Sequence, residues 1–241
     1  MHIVKESPIV QVKEHPILFR TEMVQAIIAG NKTMTRRIIN PQPYWREIWG
    51  NASIAGSTKL EYEGFVYRKN LIGNIEKDTS KLIGFCPYGR IGDNLWVRES
   101  FQVYKDKYYF KASPDEIKNG QWGKDTIPID YPEFNINNYS WKPSIHMPRK
   151  ACRFVLPLVN IRIERLHDIS GEDAVAEGVE STNEFNSKEP YLHQYKNYLD
   201  GRFDMDANGS FMTLFQSIHG EEIWKLNPWV WVIEFKGMKN G

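Results

Sequence analysis

The segment that most constrains the fold is Trp229-Val230-Trp231-Val232-Ile233-Glu234-Phe235. Side chains alternate between faces along a strand, so this one is apolar on both faces at its start. Such a strand belongs in the interior of a sheet. A second long β-segment, over 152–163, is similarly apolar but contains Pro157. Proline removes a ladder donor, which marks an edge strand or a bulge there.

Shorter elements gather around these two. Ile17-Leu18-Phe19 reads as a short buried strand. Thr21 is placed to cap a helix whose Met23, Ala26 and Ile27 share one face, with Gly30 as the residue just past its end. The β-branched run Lys32-Thr33-Met34-Thr35-Arg36-Arg37-Ile38-Ile39 predicts a strand, stopped by Asn40-Pro41-Gln42-Pro43. A turn region over 86–93 leads into a strand over 94–101, where Leu95, Val97, Glu99 and Phe101 share one face. The run 108–111 is a short strand able to pair with it. Ser170 and Asp173 fit a capping box for a short helix ended by Gly178. Phe211, Leu214, Phe215 and Ile218 have the spacing of an amphipathic helix. The stretches 41–85, 112–140 and 180–209 show no sustained period and read as insertions. The expectation is one α+β domain over 1–241, built on a small β-barrel with two or three flanking short helices and long loop insertions.

Composition narrows the function classes. The chain has 241 residues, 31 Lys plus Arg against 30 Asp plus Glu, and a formal net charge of +1. A whole-surface polyanion binder is excluded by that balance; a local basic groove is not. The first residues lack an uninterrupted apolar core, so no signal peptide is expected, and no run approaches the length of a membrane span. Cys86 and Cys152 lack any metal-ligand spacing and read as reduced, buried thiols of a cytoplasmic protein. No metal and no cofactor is expected.

The richest chemistry lies in 30–37. In an extended strand Thr33, Thr35 and Arg37 point one way, and Lys32 in the preceding turn is able to bend toward the same face. A desolvated lysine loses its proton more readily and serves as a base beside a hydroxyl. The competing reading is a solvated basic strand edge. Glu177, at the end of the capped helix, is unfavourable against the helix dipole, a hint that it is placed for another reason. Glu99 sits on a core-facing position and needs a cationic partner. From Trp141 to Arg165 six basic residues face one acid, a net of +5. With Trp141, His146, Arg149 and the Arg36-Arg37 pair, this segment reads either as a phosphate-tracking surface with stacking aromatics or as a solvated face.

Together these motifs resemble the ASCH domain family. The resemblance rests on Ile17-Leu18-Phe19, on Ala29-Gly30-Asn31-Lys32-Thr33-Met34-Thr35-Arg36-Arg37, and on Gly92-Asp93 before Leu95-Trp96-Val97. It extends through Leu166-His167-Asp168-Ile169-Ser170, Glu172-Asp173-Ala174 and Ala176-Glu177-Gly178 to the terminal Trp231-Val232-Ile233-Glu234-Phe235. Pro143-Ser144-Ile145-His146-Met147-Pro148 is similar to a motif of the longer, phage- and prophage-encoded branch. The three insertions fall outside it. The resemblance implies a PUA-like barrel whose cleft recognises a nucleoside or RNA. It further implies a metal-independent amidohydrolase acting on an acylated base or nucleoside such as N4-acetylcytidine, with Lys32, Thr35 and Glu177 as the catalytic set. Thr33, Arg36, Arg37, Glu99, Trp141, His146 and Arg149 are the candidate substrate-binding residues. The alternatives are a non-catalytic RNA-binding module and a ribonuclease using His146 or His167.

Overall fold

The computed structural model describes residues 11–42, 83–104, 106–113, 141–182 and 194–237, together with the backbone of three strands between 44 and 68. Five strands form the main sheet: β1 (Glu14–Leu18), β2 (Met34–Ile38), β6 (Asn94–Arg98), β9 (Val155–Arg165) and β12 (Trp229–Phe235). Their order is β1-β6-β9-β12-β2, with β1 and β6 parallel and the other pairs antiparallel. As its pattern requires, β12 lies between β9 and β2. Trp231, Ile233 and Phe235 face one core with Ile17, Leu95, Val97, Leu156, Leu158 and Ile161. Val230 and Val232 face the other, with Met34, Leu166 and Phe211. Each fully buried side chain of this size contributes roughly 1.5–3 kcal/mol, so the strand is held from both faces.

One helix covers the first face and three the second. α1 (Thr21–Ile28) buries Val24 and Ile27 in the first core; Arg20 occupies its N-cap position without a side-chain hydrogen bond. α2 (Gly171–Ala176) begins at the expected cap, where the Asp173 amide donates to Ser170 Oγ at 3.1 Å. α3 (Ala207–His219) is capped by Asp206, whose side chain accepts from the Gly209 amide. α4 (Glu221–Lys225) follows directly, and its Trp224 packs on Phe211 and Phe215. No helix among the described residues is long and apolar enough to cross a membrane.

Several expectations need correction. The sheet is open and does not close into a barrel: β1 and β2 are its two edges. The gap between them is spanned by a side chain, with the Arg37 guanidinium donating to the Leu18 carbonyl at 2.6 Å. The 41–85 stretch is not structureless, for β3 (Tyr44–Glu47), β4 (Thr58–Tyr62) and β5 (Phe65–Arg68) form an antiparallel meander. Pro157 is not on an edge. It lies in central β9 beside a register shift, where Glu234 pairs with Asn160 but Phe235 with Leu158, so the bulge reading holds. The strand expected over 94–101 breaks at residues 99–100, and β7 (Phe101–Tyr104) pairs separately with β8 (Lys107–Phe110). Within 180–209, β10 (Tyr195–Lys196) pairs with β11 (Phe203–Met205), and α3 starts at Ala207. Most of the 112–140 stretch lies outside the described residues.

Gly30 and Gly178 each end a helix with positive φ, and they differ in surroundings. Gly30, after α1, has φ +77° and open space where a Cβ would sit. Gly178, after α2, has φ +84°, and a Cβ there would meet Lys32 Cβ at 2.9 Å and Ala26 Cβ at 3.1 Å. Gly30→Ala is therefore expected to cost only the backbone penalty, about 1 kcal/mol. Gly178→Ala adds overpacking of roughly 1–3 kcal/mol against the α1–β2 turn. Urea denaturation of both variants checks the difference; equal losses would mean that α2 does not abut that turn.

Candidate functional site

The close fit at Gly178 places the end of α2 against the start of β2, and there the site forms. Lys32 is fully buried, and its ammonium donates to Glu177 Oε2 at 2.8 Å and to the Glu177 carbonyl at 2.6 Å. Glu177 occupies the C-cap of α2, where the amide of Glu177 itself bonds back to Asp173 and leaves the carbonyl free to accept. The second carboxylate oxygen, Oε1, receives the Arg36 guanidinium at 3.4 Å. Residues 145 positions apart are thereby joined in one buried cluster.

Burial pushes the Lys32 amine below its ordinary range, the Glu177 charge pulls it back up, and Arg37 and Arg36 push it down further. Arg36 is also held by Glu164 at 3.1 Å and by Asp173, and its own Nε is buried without a partner among the described residues. Arg162 completes this network through Glu164, Asp173 and Glu234. Burial likewise lowers Arg37, though a guanidinium stays charged in any protein.

In front of Glu177 opens a pocket of about 280 Å³ between α1 and α3. Its lining includes Phe19, Arg20, Thr35, Arg36, Arg37, Glu177, Phe211, Phe215 and His219. Lys32 is not among the lining residues and stands behind Glu177. A larger pocket of about 510 Å³ lies on the other side of Glu177, bounded by Glu22, Asn31, Tyr195 and Tyr198. The two share Met23, Glu177 and Leu214.

Of the anticipated residues, Thr35, Arg36, Arg37 and Glu177 come together at the pocket, with Lys32 one contact behind. Arg36 joins them from the opposite face of β2, because the carboxylates under α2 draw it inward. Thr33 does not line the pocket; it precedes β2, and its amide donates to the Ala176 carbonyl. Glu99 is buried elsewhere, in a two-pronged pair with Arg153 at 2.8 Å. That guanidinium lies against the Phe110 and Phe154 rings, so Glu99 serves packing. His146 is exposed, Arg149 pairs with Glu14 at 2.8 Å, and neither these nor Trp141 lines the pocket. His167 stacks on Trp224 and contacts its carbonyl, away from the pocket. Of the six basic residues in 141–165, Arg149, Arg153, Arg162 and Arg165 are committed to partners within the protein.

The sequence reading missed Arg20, Phe19 as an aromatic wall, and His219. The last was accessible: His219 lies four residues after Phe215 on the helix already recognised, so it shares that face, and the rings stack at 4.4 Å. Cys86 is buried with its thiol pushed up to about 11, and no cluster of His, Cys, Asp and Glu among the described residues is arranged to hold a metal.

The pair has a measurable signature. Removing one partner of a buried ion pair costs roughly 3–5 kcal/mol, so Glu177→Gln is expected to destabilise by about that amount. A Lys32→Met, Glu177→Gln double variant should regain much of it. The pH dependence follows from the direction of the Lys32 shift. Its folded pKa lies below the unfolded value, so the native state binds fewer protons and stability rises with pH up to the ordinary lysine range. Glu177→Gln removes the main upward pull and widens that interval. Urea midpoints at pH 6, 7.5 and 9 should climb more steeply in the single variant than in the natural chain, and a flat response would contradict this assignment.

Compared with known proteins, the chain matches no family model, no curated protein and no solved structure, and the site stands on its own geometry.

Proposed function

We propose that this chain is a metal-independent amidohydrolase of the ASCH type, with a PUA-like origin for its sheet, acting on an acylated base or nucleoside such as N4-acetylcytidine. The observation that carries the reading is the convergence of Thr35, Arg37 and Glu177 on one pocket, backed by the Lys32–Glu177 contact of 2.8 Å. The pocket volume lies near the lower end of the ~300–1,000 Å³ usual for small-molecule sites, which suits one base or nucleoside. Phe19, Phe211 and Phe215 offer apolar ring faces, and Arg37 offers a cation.

In this mechanism the Thr35 hydroxyl, or a water that it holds, attacks the acyl carbonyl carbon. Glu177 faces the pocket and takes the attacking proton, while Lys32 stands behind and holds its carboxylate in place. The carbonyl oxygen becomes an oxyanion opposite Arg37. When the intermediate collapses, the carbon–nitrogen bond breaks and the leaving nitrogen recovers the proton. Where Thr35 itself attacks, water then cleaves the resulting Thr35 ester and restores the hydroxyl; by either route the products are the carboxylic acid and the free amine of the base. Lys32 is a positioning residue here, because the pocket does not reach it.

The rival readings draw less support. A phosphate-tracking surface over 141–165 would need its cations free, and four of the six are paired internally. A ribonuclease centred on His146 or His167 would need one of them in the pocket, and neither lines it.

Incubation with N4-acetylcytidine and chromatography of released acetate tests the proposal. Thr35→Val and Glu177→Gln are expected to lower kcat/KM by about 10²-fold or more, the scale of acid–base catalysis. No acetate release at high enzyme concentration would remove this substrate class.

A further inference from the structure

The pocket mouth carries more positive charge than amide hydrolysis requires. Arg20, Arg37 and His219 all line it, from the residue before α1, from β2 and from the end of α3. Arg37 donates to one acceptor among the described residues, the Leu18 carbonyl, which leaves most of its five donors unused. Neither Arg20 nor His219 forms an ion pair with a carboxylate among the described residues. The one acid lining this pocket, Glu177, is already engaged by Lys32 and Arg36. Arg36 in turn is neutralised by Asp173 and Glu164. The first-turn amides of α1 lie beside Arg20 without a side-chain cap, adding positive potential at the same mouth.

Like charges gathered without an intervening acid repel one another, and the imidazole registers this. Burial, then Arg37 and Arg20, hold His219 below its ordinary pKa. The arrangement is unfavourable in the empty protein and is relieved by an anion of matching size. Behind the cations, Phe19, Phe211 and Phe215 supply apolar faces for a flat ring.

We infer that this mouth is a phosphate subsite, and that the proposed hydrolase prefers a nucleotide bearing a terminal phosphate over the corresponding nucleoside. The inference rests on the nucleoside reading above and deepens it. Arg20 and Arg37 offer planar donor pairs suited to phosphate oxygens, and His219 gains a proton when the anion arrives. The charged groups at this mouth are Arg20, Arg36, Arg37 and Glu177; the three guanidiniums oppose protonation of the imidazole, and only Glu177 favours it.

Calorimetric titration of the full chain with cytidine, cytidine 5′-monophosphate and inorganic phosphate tests the inference without turnover. The monophosphate is expected to bind at least tenfold tighter than cytidine, with the preference shrinking in high salt. Arg20→Ala and His219→Gln should each reduce that preference several-fold, with circular dichroism confirming the fold. Equal affinities for cytidine and its monophosphate would overturn the phosphate subsite and leave the nucleoside reading intact. Inorganic phosphate binding as tightly as the monophosphate would overturn a nucleotide substrate in favour of a free-anion site. Binding of none of the three would bring down both readings together.

Discussion

The buried pairing of Lys32 with Glu177 is the constraint on which the rest of the arrangement depends. A fully buried ammonium is tolerated only where its charge is met and its hydrogens are used. Glu177 provides both, through one carboxylate oxygen and its own carbonyl. Meeting that demand fixes the end of α2 against the turn between α1 and β2. It also explains the glycine after Glu177, since the lysine stem passes where a side chain would stand. The pocket between α1 and α3 is a product of this docking, because Glu177 forms part of its wall.

A second layer of charge supports the first. Arg36 reaches Glu177, Asp173 and Glu164, and Arg162 links the last two to Glu234 on β12. The network therefore ties α2 to three adjacent strands beneath the apolar contacts of the second core. Such networks add little net stability compared with apolar packing, but they penalise any register that leaves one member alone. The placement of α2 seen here pairs Asp173, Glu177, Glu164 and Glu234 each with at least one cation.

Much of this was legible in the sequence, for reasons that differ from element to element. The interior position of β12 followed from its two apolar faces, and the start of α2 from the Ser170 cap. Thr35, Arg37 and Glu177 were identifiable because each was an oddity: hydroxyl and guanidinium on one strand face, or an acid at the wrong end of a helix. The open sheet was not legible, since strand count and length do not determine whether edges meet. Glu99 has the cationic partner that its core-facing position demands, but Arg153 was not identifiable as that partner, because alternation shows which face a residue takes and not what lies opposite. The basic segment was ambiguous for the same reason, as most of its acids come from outside it: Glu14, Glu99, Asp173 and Glu234. Arg36 entered the site against strand parity because charge compensation outweighed the alternation of the backbone.

The position of β12 also bears on when the site comes into being. β2, which carries Thr35, Arg36 and Arg37, joins the main sheet through β12 alone, although nearly two hundred residues separate the two in sequence. A ribosome-bound chain that has not yet extruded 229–235 holds the β1–β6–β9 half of the sheet but gives β2 no neighbour to pair with. Loop closure across that span is slow compared with local helix formation. Assembly of the pocket thus waits for β12, and a protein shortened before residue 229 would lose Trp231, Ile233 and Phe235 from the first core together with the strand that holds Thr35 in place.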